Sequence, residues 1–254
     1  MATVPDPTEP TAEQVAAAKE VAKRDPALRA FIAKAGPVRM RGGVGDYFGS
    51  LVRSIMYQQL AGRAAAAIHG RLVEALGGKV TPEAVLAADP EKLRAAGLSG
   101  AKLAAVRDLA QKATDGTVPL HDLHMLPDDE LVARLSSVRG IGRWTAQMFL
   151  LFELRRLDVW PVDDLGVRNG YRLIHSLQEM PKPKELQALG DIYRPYRSIA
   201  AWYCWQAVHL MRGDMLLPGG DSPAERRPRA ARAGAVEPST KARRKPAARS
   251  ARNR

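Results

Sequence analysis

Along this chain apolar residues recur every three to four positions and scarcely ever alternate at period two, so the elements it predicts are helices. The spacing is clearest over residues 11–23, 28–34, 47–56, 62–76 and 102–113, where alanine, leucine, arginine and glutamate dominate. Thr81-Pro82-Glu83 adds a start signal: threonine can cap, and proline at the first helical position lacks only an amide that would have had no partner there. Asp89-Pro90, Gly97, Gly100, Pro119 and Pro127 cut the remainder into short elements. The expected fold class is all-α, a bundle of many helices of one to four turns.

After Pro218 the pattern stops. Residues 219–254 hold almost no side chain large and apolar enough to anchor a core, and such a segment cannot offset its ordering entropy. They are expected to be a disordered basic tail, residues 1–10 a disordered start, and residues 11–218 the helical domain. The 254 residues carry a formal charge of +12, of which residues 221–254, with 11 basic and 3 acidic side chains, supply +8. A polycation favours a polyanion, nucleic acid ahead of anionic membrane. The single cysteine, Cys204, excludes a disulfide framework, an all-cysteine zinc site and a four-cysteine iron–sulfur cluster. Histidines 69, 121, 124, 175 and 209 stand at no zinc spacing with Cys204 or with acids and read as structural or surface residues. Met1 to Pro10 offers no apolar core for a secretory signal, and every apolar run is shorter than the roughly 20 residues of a membrane span. A soluble protein of the cytoplasm or nucleoid, with no membrane partner, is expected.

The richest stretch runs from residue 131 to residue 170. A helix ends near Ser137, Val138-Arg139-Gly140-Ile141-Gly142 turns the chain, and a second helix begins at about Arg143, giving a hairpin over roughly residues 128–153. Two glycines permit positive φ and close backbone approach to another molecule, while Ile141 can plug back into the core. The second helix then directs unsatisfied amides and its positive dipole end outward, an anion site suited to a phosphate. A plain tight link between helices would use the same residues. Further on, Asp163 and Asp164 precede Leu165-Gly166-Val167-Arg168 and can each act as a helix cap. Trp144, Trp160, Tyr203 and Trp205 are candidate stacking residues, whereas Trp202 and Tyr171 read as core.

These segments, in this order, resemble the helix-hairpin-helix DNA glycosylase superfamily and, more narrowly, its bacterial and fungal 3-methyladenine (alkylpurine) members. The resemblance extends from about Tyr47 to Trp205. It is carried by Ser54-Ile55-Met56-Tyr57-Gln58-Gln59-Leu60, Gly97-Leu98-Ser99 with Lys102, residues 138–146, residues 158–167 and Tyr193-Arg194-Pro195-Tyr196-Arg197-Ser198. It implies a two-lobed bundle with the terminal helices in one lobe, the central helices in the other and the active site in the cleft between. The sheet domain that often precedes the core in such enzymes is expected to be absent, because the residues before Tyr47 read as helical. The implied activity is monofunctional: hydrolysis of the N-glycosidic bond of alkylated purines in double-stranded DNA, for base excision repair, by a monomer needing no cofactor. Two alternatives stand beside it. A non-catalytic hairpin DNA-binding module needs only Gly140, Gly142 and a basic surface, and an oxidised-base glycosylase would also nick the strand.

Residue by residue, the resemblance makes Asp164 catalytic and gives Asp163 a supporting or capping role. Trp144 and Trp205 line the pocket for the extruded base, with Trp160 and Tyr203 as further candidates. Met148 and Leu165 stand where the best-known bacterial member has aromatics, so the resemblance does not extend to the lesions preferred. Gln59, where some relatives have leucine, enters the gap left by the flipped nucleotide, and Leu60 is the alternative wedge. Gly140, Gly142, Arg143 and Thr145 meet the DNA backbone. Bifunctional relatives carry a nucleophilic lysine just after the hairpin, where this chain has Arg143-Trp144-Thr145, so no Schiff base is expected. The carbonyls of Ser136, Val138 and Gly140 are expected to hold a structural sodium or potassium ion.

Deleting residues 221–254 should weaken binding to duplex DNA at low salt and flatten its salt dependence, because fewer counterions are released. Single-turnover base release at saturating protein should stay nearly unchanged, and loss of the chemical step would refute the tethering role.

Overall fold

The computed structural model describes residues 10–213 apart from 41 and 44. The expectations for the first nine residues and for the basic tail therefore lie outside the described residues. Twelve α-helices follow one another: α1 (Ala12–Arg24), α2 (Pro26–Ala35), α3 (Tyr47–Tyr57), α4 (Gly62–Ala75), α5 (Pro82–Ala87), α6 (Pro90–Ala95), α7 (Gly100–Thr114), α8 (Asp128–Ser136), α9 (Arg143–Phe152), α10 (Leu165–Ile174), α11 (Pro183–Leu189) and α12 (Arg197–Met211). Single 3₁₀ turns lie at Leu123–Met125 and Asp191–Tyr193. Among the described residues there is no strand, as expected, and no helix long and apolar enough to cross a membrane.

The helix starts follow from local chemistry. Thr11 closes a capping box with Gln14, and Thr81, Asp89 and Ser99 each accept a backbone N–H of the turn they open. Asp25-Pro26 is the same signal as Asp89-Pro90, which is why α2 starts two residues before the periodic stretch at 28–34.

Helices α3 to α7 pack on one another as one lobe, while α1, α2, α10 and α12 form the other, so the first and last described helices share a lobe as expected. Two helices are buried on all sides. Every residue of α9 from Thr145 to Leu151 is buried, and so is every residue of α12 from Ser198 to Val208. α9 bridges the lobes, with Phe149 edge-on to Tyr47 of α3 and Phe152 against Trp205 of α12. α10 crosses α12 so closely that a Cβ on Gly170 would lie 1.9 Å from the Cys204 carbonyl oxygen, so only glycine fits.

The segment between α9 and α10 is fastened to the start of α12. Asp158 takes the Arg197 guanidinium as a fork, Nε on Oδ1 at 2.7 Å and Nη2 on Oδ2 at 2.9 Å. Ser198 Oγ donates to the Arg156 carbonyl and accepts the Val159 N–H. The far end of α10 is fastened through Asp25, whose Oδ1 caps α2 while its Oδ2 meets His175 Nε2 at 2.8 Å and accepts the Tyr193 hydroxyl. His175 also stacks on Tyr171, so this histidine is structural, as read from the sequence.

Burial opposes ionisation of Asp25, but the bonds from Tyr193, the Leu28 amide and His175 together hold its carboxyl below the ordinary range. A depressed carboxylate contributes stability that is present above the unfolded pKa of about 3.9 and is lost as pH falls through the lower folded value. Asp25→Asn should therefore lower stability at pH 7 by about 1–3 kcal/mol. The gap in Tm between variant and wild type should narrow as pH drops below about 4. Thermal melts from pH 7 to pH 2 check this, and a constant gap would contradict it.

Candidate active site

Three elements that are distant in sequence converge on one carboxylate. The turn Pro161 to Asp164, closed by the Asp164 N–H on the Pro161 carbonyl, delivers Asp164 to the start of α10. There Oδ1 accepts the Val167 N–H at 2.8 Å, the N-cap bond that the local sequence suggests. The same oxygen accepts Trp205 Nε1 from α12 at 2.9 Å, and Oδ2 accepts Trp144 Nε1 from α9 at 2.7 Å. Asp164 is 6% exposed, so this is a nearly dry carboxylate held by three donors, two of them indoles. A carboxylate offers about four acceptor positions, and Oδ1 already uses two. The remaining position is on Oδ2, beside Trp144. Asp164 is thus both the cap and the chemical candidate, whereas Asp163, given a supporting or capping role by the resemblance, is exposed.

The surroundings fix the indoles. A Cβ on Gly166 would lie 2.7 Å from Trp205 Cδ1 and 3.0 Å from Asp164 Oδ1, so the missing side chain is what lets the ring reach the acid. Phe152 packs on Trp205 at 5.6 Å between centroids. Trp144 is half-buried, and Leu165, next to the acid, is 65% exposed. Met148, in place of an aromatic, is buried in α9.

Two expected pocket residues are not brought to Asp164. Tyr203 lies about 200° around α12 from Trp205 and points to the other side. It is fully buried, donates its hydroxyl to the Gly36 carbonyl and packs on Phe31 and Trp202, so its work is joining α12 to α2. Trp160 is 3% exposed, gives its indole N–H to the Leu186 carbonyl and lies over Gly190, where a Cβ would be 2.2 Å from Nε1. Its edge lines a separate polar cavity of about 490 Å³, shared with Asp128, Gln147 and Arg197 and not with Asp164. Trp202 and Tyr171 are core, as read.

The hairpin forms as expected, from α8 through a turn to α9. Gly140 has φ +80°, a left-handed conformation. Gly142, expected to be similar, has φ −88°, and a Cβ there would meet nothing within 4 Å, so the space it leaves faces outward. Gly142 is also the N-cap of α9 and offers no side-chain bond to the first amides. Arg143 is exposed beside them, and Ile141 is buried as a plug. Thr145, expected at the DNA backbone, is buried, which leaves its amide as the only group it can offer.

Of the three carbonyls expected to hold a monovalent cation, Val138 accepts the Ile141 N–H at 3.0 Å and Gly140 accepts Gln58 Nε2 at 2.8 Å. Each keeps a second lone pair. Carbonyl oxygens of this kind would suit sodium or potassium by their chemistry.

At the other turn, Gln59 is exposed with φ +59°, an uncommon conformation for a side-chain-bearing residue, and Leu60 is half-buried. The bond from Gln58 to the hairpin carbonyl was not foreseen, because one glutamine in a polar turn carries no sequence signal.

Residues 52–195 match the HhH-GPD superfamily of base excision DNA repair proteins. Over 163 residues, covering 63% of this chain and 72% of the relative, the sequence is 39% identical to DNA-3-methyladenine glycosylase 1 of Schizosaccharomyces pombe. It spans about three fifths of the length of some further curated relatives. The solved structure of a DNA-3-methyladenine glycosidase from Bacillus halodurans superposes with a TM-score of 0.74 at 32% identity, over 80% of this chain and 93% of that one. The 3-methyladenine DNA glycosylase of Schizosaccharomyces pombe, solved in complex with abasic DNA, gives 0.65 at 34% identity, over 75% and 95%. With a carboxylate at the head of α10, a glycine hairpin leading into α9 and matches of this extent, the chain belongs to the HhH-GPD superfamily of base excision DNA repair proteins.

Proposed function

We propose that this protein is a monofunctional DNA glycosylase that removes alkylated purines of the 3-methyladenine type from double-stranded DNA. The observation that carries the reading is the nearly dry Asp164 carboxylate, oriented by the indole N–H groups of Trp144 and Trp205. A DNA-binding module has no use for a buried acid tied to two tryptophans.

The chemistry follows from the geometry. Breaking an N-glycosidic bond builds positive charge on the sugar, and a fixed carboxylate in a water-poor site stabilises that charge without reorganising. The open acceptor position on Oδ2 is suited to face the sugar or to orient the attacking water. An alkylated purine already carries positive charge and leaves without being protonated, so no general acid is required. Indole faces attract such a cationic ring, and the base reaches them by leaving the stack. The groups that bond to Asp164 include no lysine, and the helix start after the hairpin reads Arg143-Trp144-Thr145. That helix start supplies no nucleophilic amine to attack the sugar. A sodium or potassium ion on the carbonyls of Ser136, Val138 and Gly140 would brace the turn and add positive charge towards a phosphate.

Asp164→Asn keeps an oxygen for the Val167 and Trp205 donors, so the cap and fold should survive while the charge is lost. Release of free 3-methyladenine and 7-methylguanine from methylated duplex DNA should fall at least about a hundredfold, with binding to undamaged duplex retained. Borohydride should trap no covalent adduct with the wild type. No base release by the wild type would sink the reading, and an adduct would sink its monofunctional part. Trp205→Phe keeps a ring against Phe152 but removes one donor to the acid. Its single-turnover rate should fall about tenfold with little change in Tm.

A further inference from the structure

α7 contributes no residue to the Asp164 site, yet one of its faces reaches both turns that the resemblance directs at DNA. Lys102 Nζ donates to the carbonyls of Ile55 at 2.9 Å, Met56 and Gln58 at 3.0 Å, which are the open C-terminal end of α3 and the first residue of the 58–60 turn. One turn along α7, the Ala105 methyl lies under the hairpin, 3.3 Å from where a Cβ on Gly140 would stand. Next, Asp108 Oδ2 accepts the Arg139 backbone N–H at 2.7 Å and Lys112 Nζ at 2.8 Å. Lys112 Nζ also donates to the Ser137 carbonyl at 2.6 Å. Residues 102, 105, 108 and 112 are three, three and four apart, so they form one stripe along the helix.

The two turns are joined directly as well, by Gln58 Nε2 on the Gly140 carbonyl at 2.8 Å. Charged groups on a surface helix normally face water. Here the ammonium of Lys102 is partly desolvated, which pulls its pKa below the ordinary lysine value, and three backbone carbonyls replace the lost water. Asp108 has its carboxyl held below the ordinary range by Arg139 and Lys112 against the opposing effect of burial. The bonds that these side chains make to backbone fix main-chain position.

We propose that the α7 stripe Lys102–Ala105–Asp108–Lys112 is a positioning element that holds the 58–60 turn and the 137–142 turn at one separation, so that the wedge enters the duplex at a set distance from the phosphate held by the hairpin. The inference rests on the proposed function in taking duplex DNA as the ligand, and on the resemblance in placing the wedge at the 58–60 turn and the phosphate at the hairpin. Opening a duplex needs a push at the base step and a hold on the backbone at matched points. A turn free to drift would leave binding intact and lose the coordinated opening.

The test uses the full chain and a duplex with 2-aminopurine beside a stable abasic-site analogue, where unstacking raises fluorescence. Affinity for undamaged duplex and single-turnover release of methylated purine are measured alongside. Lys102→Met should reduce both unstacking and release about tenfold while the affinity for undamaged duplex changes less than about threefold. Lys102→Arg, which can still reach carbonyls, should recover most of the loss. Lys112→Ala, at the outer end of the stripe, should show a smaller loss in the same direction, and it carries the test should Lys102→Met fail to fold. Unstacking at the wild-type level in Lys102→Met or Lys112→Ala would overturn the proposal. So would a loss of affinity as large as the loss of unstacking, which would mark Lys102 as a plain phosphate contact. Wild type that unstacks but releases no base would overturn the glycosylase reading and leave the variants to decide this one. Wild type that does neither overturns both.

Discussion

The carboxylate of Asp164 is the constraint on which the rest of the structure converges. Its two indole donors come from α9, the bridge between the lobes, and α12, the centre of the terminal lobe. Holding them within hydrogen-bond reach of one acid requires the lobes to be fixed relative to each other. The features that look merely structural serve that end. Gly170 lets α10 lie against α12, Gly166 makes room for the Trp205 ring, and the Asp158–Arg197 fork sets where the 153–164 segment starts its run to the acid. Asp25 anchors the opposite end of α10 through His175 and Tyr193. The catalytic candidate is therefore held at both ends of its helix and on both faces of its carboxylate.

How much of this is legible in the sequence depends on how local the cause is. Helices α1 to α7 can be read because each carries an apolar stripe or a cap-proline signal, and Asp164 can be read as a cap because capping is settled within four residues. α12 cannot be outlined this way. It is buried on every side, so its apolar residues show no periodic contrast. The same burial explains the error at Tyr203. An aromatic two positions from Trp205 looks like a partner for it, but on a helix two positions point nearly opposite ways, and both sides of α12 are core. Trp160 misleads for a different reason, since proximity in sequence to Asp164 says nothing about which wall its ring faces. Thr145 shows the limit of motif reading at the hairpin. The turn exposes its backbone, and the helix that follows submerges its side chains.

Interactions that tie one segment's side chain to another's backbone are the least legible of all. Gln58 on Gly140, Lys102 on the end of α3 and Lys112 on Ser137 each join positions tens of residues apart. A carbonyl has no residue-type signature. A sequence shows the lysine and not its acceptor, so Lys102 enters the resemblance without a partner and Lys112 carries no signal.

The arrangement around Asp164 also bears on which bases the site can serve. The indole N–H groups are engaged by the acid, and this fixes the planes of both rings, so the faces they offer to an extruded base are set in advance. Those faces are electron-rich and lie beside a carboxylate, an environment that favours a ring already carrying positive charge. No acid among the groups touching Asp164 is placed to protonate a leaving purine. A normal purine would need that proton to leave, whereas an alkylated one carries the equivalent charge from the start. On the proposed reading, discrimination would come from the state of the glycosidic bond more than from hydrogen bonds that read the base edge. Two fixed rings and one carboxylate supply the stacking and the charge, and the lesion supplies the weakened bond.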